Sequence, residues 1–139
     1  MPLIQTLVVC LVAGALGAEF PTKEFLEFSR PVIEKCEQQT GVDKALVKQF
    51  EKGDMVDDGK FKCYLKCMFV EFNVLDEATG QFHYEKMLSM IPADMRTIAF
   101  DMGKNCIHFK GENGADLCQV SYDLHKCWQK SDPEHYFLM

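Results

Sequence analysis

The stretch Cys63-Tyr64-Leu65-Lys66-Cys67 lies in the middle of the most regular helical pattern in the chain. Around it, apolar residues recur at Phe61, Tyr64, Leu65, Met68, Phe72 and Leu75, a three-and-four spacing that predicts a helix from about Lys60 to Leu75, buried on one face. Cys63 and Cys67, one turn apart, point the same way along it. They are better placed to reach two different elements than to bond each other. The helix is therefore expected to be stapled to the rest of the molecule at two points.

Working outward, the chain has 139 residues, enough for one domain with a single core. A formal charge of −6 and a pI near 5.2 argue against nucleic acid or an anionic membrane surface as a partner, because either would repel it. Residues 1–18 carry no charged side chain and hold an apolar run from Leu7 to Leu16 followed by small residues. That run is too short to span a bilayer but suits a secretory signal peptide, with cleavage after Gly17 or after Ala18. The domain proper is then 19–139. Removing the peptide takes Cys10 with it and leaves an even set: Cys36, Cys63, Cys67, Cys106, Cys118 and Cys127. In a small secreted chain such a set reads as a disulfide frame.

Five further helices flank the stapled one. The first starts after Thr22 with Phe25, Phe28, Val32, Ile33 and Cys36 inward, is expected to kink or break at Pro31, and ends at Thr40-Gly41. Asp43 caps a short second helix bearing Leu46, Val47 and Phe50, with Val42 placed to pack on Val47. After the stapled helix comes a turn at residues 76–81, then a fourth helix from His83 to Ile91 stopped by Pro92. A fifth starts at Asp94 with Met95, Ile98, Ala99, Met102 and Cys106 in a helical stripe. A sixth runs from Ala115 to about Lys130 and ends at Asp132-Pro133. No segment keeps the two-residue period of a strand, so the fold class is all-α.

Six cysteines allow fifteen pairings. Cys63–Cys67 is disfavoured, and Cys118 and Cys127 on one helix stand roughly 13 Å apart along its axis, beyond disulfide reach. Ten pairings remain, all joining separate helices. A zinc site of Cys63, Cys67, Cys127 and His125 competes weakly, since secretion oxidises thiols and no second close pair completes four ligands. No metal or cofactor is expected. An enzyme of the secreted phospholipase kind is disfavoured too: His125 lacks the neighbouring aspartate of a Cys-Cys-x-x-His-Asp arrangement, and Asp123 lies two residues away on another face. No nucleophile elbow or phosphate loop is visible, and no catalytic residue is assigned.

The spacing Cys36-x26-Cys63-x3-Cys67-x38-Cys106-x11-Cys118-x8-Cys127 resembles the six-cysteine pattern of the insect odorant-binding protein family over the whole mature chain. Residues 63–67, 102–106 and 124–128, with the tail 131–139, resemble its antennal OS-E/OS-F branch and mosquito relatives. The resemblance implies six helices around an apolar cavity, joined by Cys36–Cys67, Cys63–Cys118 and Cys106–Cys127. It implies a ligand wall of Met68, Phe69, Tyr84, Met87, Ile91, Met95, Ala99, Phe100, His125, Trp128, Tyr136 and Phe137. It further implies a protein secreted into sensillar lymph that carries a small hydrophobic odorant or pheromone, with an olfactory receptor and a second copy of the chain as further partners. The alternatives are a carrier of other apolar ligands outside olfaction, and a secreted interaction module with no ligand.

Independently of the resemblance, Met87, Met90, Met95, Phe100 and Met102 gather on the fourth and fifth helices, and flexible, polarisable methionine suits a cavity that takes guests of several shapes. Trp128, the single tryptophan, lies on the inward stripe of the sixth helix, and its indole N–H needs a partner if buried. The segment 132–139 reads as a lid. In mosquito relatives its terminal carboxylate, here on Met139, bonds a tyrosine matching Tyr64 and a histidine whose position is Ile33 in this chain. The lid is expected to be held at neutral pH and loosened on acidification, as carboxylates protonate and His125 or His135 charges.

Overall fold

In the computed structural model, which describes residues 21–107 and 115–137, the side chain of Asp58 starts the central helix by accepting the Phe61 N–H at 2.8 Å. This helix, α3 (Gly59–Glu71), buries Phe61, Tyr64, Leu65, Cys67, Met68 and Phe69. It stops at Glu71 rather than Leu75. Asn73 takes the left-handed conformation (φ 59°), its N–H bonds Val70 O at 2.9 Å, and the Val74 N–H bonds Phe69 O at 3.0 Å. This reciprocal pair satisfies the last free carbonyls of the helix and turns the chain sharply. Val74 and Leu75 stay buried but leave the helix, and Leu75 forms an isolated antiparallel bridge with Phe82 across the turn at 76–81.

The other helices are α1 (Lys23–Thr40), α2 (Lys44–Glu51), α4 (Tyr84–Met90), α5 (Ala93–Gly103) and α6 (Leu117–Ser131). Thr22, Asp43 and Asp116 cap α1, α2 and α6 with their side chains, the first two as the sequence predicts and the third one residue past the expected start at Ala115. With no strand among the described residues, the fold is all-α.

Of the kink or break expected in α1 at Pro31, the break is corrected. The helix continues through Pro31 without a break. Pro31 and Glu27 sit on the exposed face, where water can take the Glu27 carbonyl that proline leaves unbonded, while buried Phe25 and Ser29 upstream and Cys36 downstream hold both halves in place. Phe28, expected inward, is 53% exposed and lies over Phe72 with ring centroids 6.0 Å apart. Further along, α5 ends at Gly103, so buried Cys106 sits just beyond it and its N–H bonds Gly103 O at 2.9 Å.

The disulfides are Cys36–Cys67, Cys63–Cys118 and Cys106–Cys127. The first two fasten α3 to α1 and to α6, and these are the two helices α3 packs against most extensively. The third fastens the end of the α5 segment to α6. All three cysteines of the alternative zinc set are thereby consumed.

Beneath the staples, Phe50, Phe61 and Tyr122 form a close aromatic cluster, with Phe50–Phe61 centroids at 4.9 Å and Phe50–Tyr122 at 5.6 Å. Gln129 on α6 donates to the Phe50 carbonyl at 2.6 Å, fixing the end of α2 against the same helix. This half of the interior is solid.

Replacing Cys63 and Cys118 together by serine opens a loop with a sequence separation of 55 residues. We expect a loss of about 4 kcal/mol in unfolding free energy, read from denaturant midpoints; a loss below about 1 kcal/mol would show that the α3–α6 interface holds without its bond.

Candidate functional site

The hollow part of the interior is enclosed by α1, α4, α5, α6 and the tail, with no residue of α3 in its wall. The join between α4 and α5 is fixed by Pro92, which ends α4, and by Arg96, whose Nε and Nη2 donate to the carbonyls of Leu88 (3.1 Å) and Ile91 (3.0 Å). The Leu88 carbonyl also accepts the Ile91 N–H at 3.2 Å, so the guanidinium reinforces the last turn of α4 and sets its angle to α5. Their inner faces carry Met87, Met90, Ile91, Met95, Ala99 and Met102 towards α6, and between them is a cavity of about 70 Å³.

His125 and Trp128 on α6 form the facing wall, Phe25 and Phe28 on α1 a third side, and Phe72 and Val74, just past the turn at Asn73, the floor. Tyr136 and Phe137 of the tail complete it. The tail reverses at residues 132–135, where the His135 N–H and ring Nδ1 both meet the Asp132 carboxylate. It then lies back over the helices: Tyr136 meets Phe50 edge-on with centroids 6.0 Å apart, and Phe137 meets Phe25 edge-on at 5.9 Å. Leu138 and Met139 lie outside the described residues, as does the segment 1–18.

Three polar side chains are buried here. The Tyr136 hydroxyl lies 3.0 Å from His125 Nδ1. His125 is only 2% exposed, and burial alone pushes its pKa down from 6.5 to about 3, so the ring is neutral at physiological pH. Burial also pushes the phenols of Tyr136 and Tyr64 well up. His125 Nε2, Trp128 Nε1 and the Tyr84 hydroxyl have no hydrogen-bond partner among the described residues.

The sequence-derived wall divides accordingly. Met87, Ile91, Met95, Ala99, His125, Trp128, Tyr136 and Phe137 border the cavity, whereas Met68, Phe69, Tyr84 and Phe100 do not. Phe100 is five residues from Met95 and so about 140° around the helix; it points outward and is 49% exposed. Met68 and Phe69 belong to the solid core, each 1% exposed. Phe69 nevertheless stacks on His125 (5.0 Å, 17°) and meets Trp128 edge-on at 5.6 Å, bracing both rings from behind. Tyr84 turns towards Gly103, where any Cβ would run into its ring and hydroxyl.

Four lining residues were not named from the sequence: Phe25, Phe28, Phe72 and Val74. Phe25 and Phe28 stood on the inward stripe of α1, which was a usable signal. Phe72 and Val74 depend on the left-handed turn at Asn73. Of the remaining lid residues, Tyr64 is buried in the core, Ile33 packs partly buried against it, and His135 pairs with Asp132.

The sequence model of the PBP/GOBP family matches residues 18–131. The chain belongs to that family. General odorant-binding protein 99a of Drosophila melanogaster is 23% identical over 129 residues, covering 89% of this chain and 87% of that one. General odorant-binding protein 72 of Anopheles gambiae is 26% identical, covering 84% and 98%. Among solved structures of odorant-binding proteins, that of Locusta migratoria lmigOBP1 superposes with a TM-score of 0.70 at 33% identity, over 81% of this chain and 84% of the other. Odorant binding protein 7 of Anopheles gambiae, solved in complex with an azo compound, superposes with a TM-score of 0.70 at 22% identity over 86% and 98%. Six helices around three disulfides are thus this PBP/GOBP chain's share of a known fold.

Tyr84 gives a direct check on the geometry. Its hydroxyl is buried without a partner, and burial raises its pKa to about 12. Tyr84→Phe should stabilise the fold by about 1 kcal/mol, measured by chemical denaturation; destabilisation by a similar amount would mean that the hydroxyl is bonded in solution.

Proposed function

We propose that this protein is a secreted carrier of small hydrophobic volatiles, odorants or pheromones, which it moves through aqueous lymph towards olfactory receptors. The observation that carries the reading is the cavity itself: an apolar wall with four methionines, Met87, Met90, Met95 and Met102, completed by Tyr136 and Phe137 of the tail. The relatives' names and the azo compound bound by the Anopheles protein point the same way. Secretion rests on the character of residues 1–18, with the carrier domain at 19–139. Delivery to a receptor and pairing with a second copy rest on the family likeness.

Size adds a mechanical condition. An engineered apolar cavity of about 150 Å³ takes up benzene, so at about 70 Å³ this one must widen for a volatile of ten carbons. Methionine has the rotamer freedom to give way, and half-exposed Phe28 marks the mouth, where the least packing is lost on opening. Burying ten carbons is worth ~8 kcal/mol gross. After association costs and widening, micromolar affinity is expected, which suits a carrier that must also let go.

Release follows from His125. In the closed protein the ring is neutral and sealed under Tyr136; above pH 6.5 it is neutral in the open or unfolded chain as well, so nothing is lost. As pH falls from 6.5 towards 3 the open chain binds a proton that the closed one refuses, and the closed state loses ground throughout that window. The acid-loosening element is therefore His125.

Two measurements test this. An apolar fluorescent probe should brighten on binding and be displaced by volatiles, and Ala99→Phe, which fills the cavity, should weaken probe binding at least tenfold; no probe uptake by folded protein would instead support an interaction module with no ligand. Between pH 7 and pH 5 the protein should lose about 2 kcal/mol of stability through His125 and bind the probe more weakly. His125→Gln, which cannot charge, should flatten both trends, and an unchanged pH dependence in that variant would remove His125 from the release mechanism.

A further inference from the structure

We infer that cargo enters and leaves between the start of α1 and α5, and that Thr22, which lies outside the cavity wall, latches this seam through its hydroxyl on the sulfur of Met95. The inference rests on the carrier reading above and specifies its route of access. The disulfides join α1 to α3, α3 to α6, and the end of the α5 segment to α6. None joins α1 to α4 or α5, and those helices border the cavity together with little packing between them. Solvent reaches the wall on the same helices: Phe28 is 53% exposed, and Met87, Met90, Ile91 and Ala99 are partly exposed, whereas His125 and Trp128 of α6 are buried. The seam is therefore where the wall parts with the least loss of packing.

One hydroxyl spans it. Thr22 Oγ1 accepts the Phe25 N–H at 3.3 Å as the N-cap of α1, and donates to Met95 Sδ at 3.5 Å. A hydroxyl has one hydrogen to give and two lone pairs to receive with, so both bonds form at once. Among the described residues this is the side-chain hydrogen bond that ties α1 to α5, across 73 positions of sequence. Met95 is 1% exposed and borders the cavity, so the latch holds a wall residue from outside the wall. Thioether sulfur is a weak acceptor, and a latch that must open repeatedly needs a weak bond. Parting the seam breaks no disulfide and does not involve the contact of Tyr136 with His125, so cargo exchanges at neutral pH without the acid step.

A latch made in the closed state, empty or loaded, and broken on opening slows entry and exit by the same factor. It changes rates and leaves affinity where it was. Thr22→Asp separates the two bonds: a carboxylate caps α1 as well as threonine does but has no hydrogen for the sulfur. Thr22→Ser keeps both.

The test is stopped-flow binding and release of an apolar naphthylamine fluorescent probe by the disulfide-bonded protein at pH 7. Thr22→Asp should raise the association and dissociation rates together by about threefold, the range of a weak hydrogen bond, with the dissociation constant and the denaturation midpoint nearly unchanged. Thr22→Ser should behave as the parent protein. Asp43→Ala, which removes the N-cap of α2 away from the seam, should lower stability without accelerating exchange. In a Met95→Leu background, where the sulfur is already gone, Thr22→Asp should change neither rate further.

Unchanged rates in Thr22→Asp, a change in one rate alone, equal acceleration by Asp43→Ala, or a full additional effect of Thr22→Asp on Met95→Leu would each overturn the latch while leaving a carrier with another entrance. If the folded parent protein takes up no probe, the carrier reading falls along with the latch.

Discussion

Cys63 and Cys67 sit one turn apart on α3, and their bonds leave in different directions, to Cys118 on α6 and Cys36 on α1. Each bond removes conformations from the unfolded chain, worth ~2–4 kcal/mol apiece. A domain of this length has little stability to spare, and an interior with unfilled space forfeits dispersion contacts all along its lining. The crosslinks offset that loss. They let α4 and α5 pack thinly on the rest, touching mainly one another and α6, and still hold a defined position through Cys106–Cys127.

The interior has two parts of different character. On one side rigid rings, Phe50, Phe61 and Tyr122, fill the space between α2, α3 and α6; on the other, flexible methionines line a void. Rigid groups lie where position must be kept, and adaptable ones where shape must change. His125 and Trp128 belong to the cavity wall and are braced from behind by Phe69. That packing and the contact of His125 Nδ1 with the Tyr136 hydroxyl at 3.0 Å fix the orientation of the pair.

The tail connects these properties. Tyr136 answers one nitrogen of His125, packs on Phe50 of the solid core and forms part of the cavity wall, so a single phenol reads out closure, histidine hydration and cavity shape together. Any event that lifts it exposes a histidine whose protonation opposes its return. On the release mechanism proposed above, ligand exchange and acidity would be coupled through this one buried contact.

The sequence by itself determined the six helices and several of their ends, because capping side chains at Thr22 and Asp43 and the stop at Pro92 act within a few residues. It also restricted the crosslinks to pairs between helices, and the family resemblance named the set found. The methionines of α4 and α5 and the inward Trp128 were legible from helical period alone. What only the tertiary structure decided were features set by neighbours distant in sequence. Asn73 turns left-handed and brings Phe72 and Val74 to the cavity floor, and Pro31 is tolerated where both flanks are pinned. Phe100, part of a methionine-rich run, faces solvent because a helix of seven residues and one of eleven, joined at Pro92, present only one face to α6. The state of His125 is the clearest case: a charge is cheap or costly according to how much water surrounds it, and that is fixed by Tyr136, Phe69 and Trp128 closing around the ring.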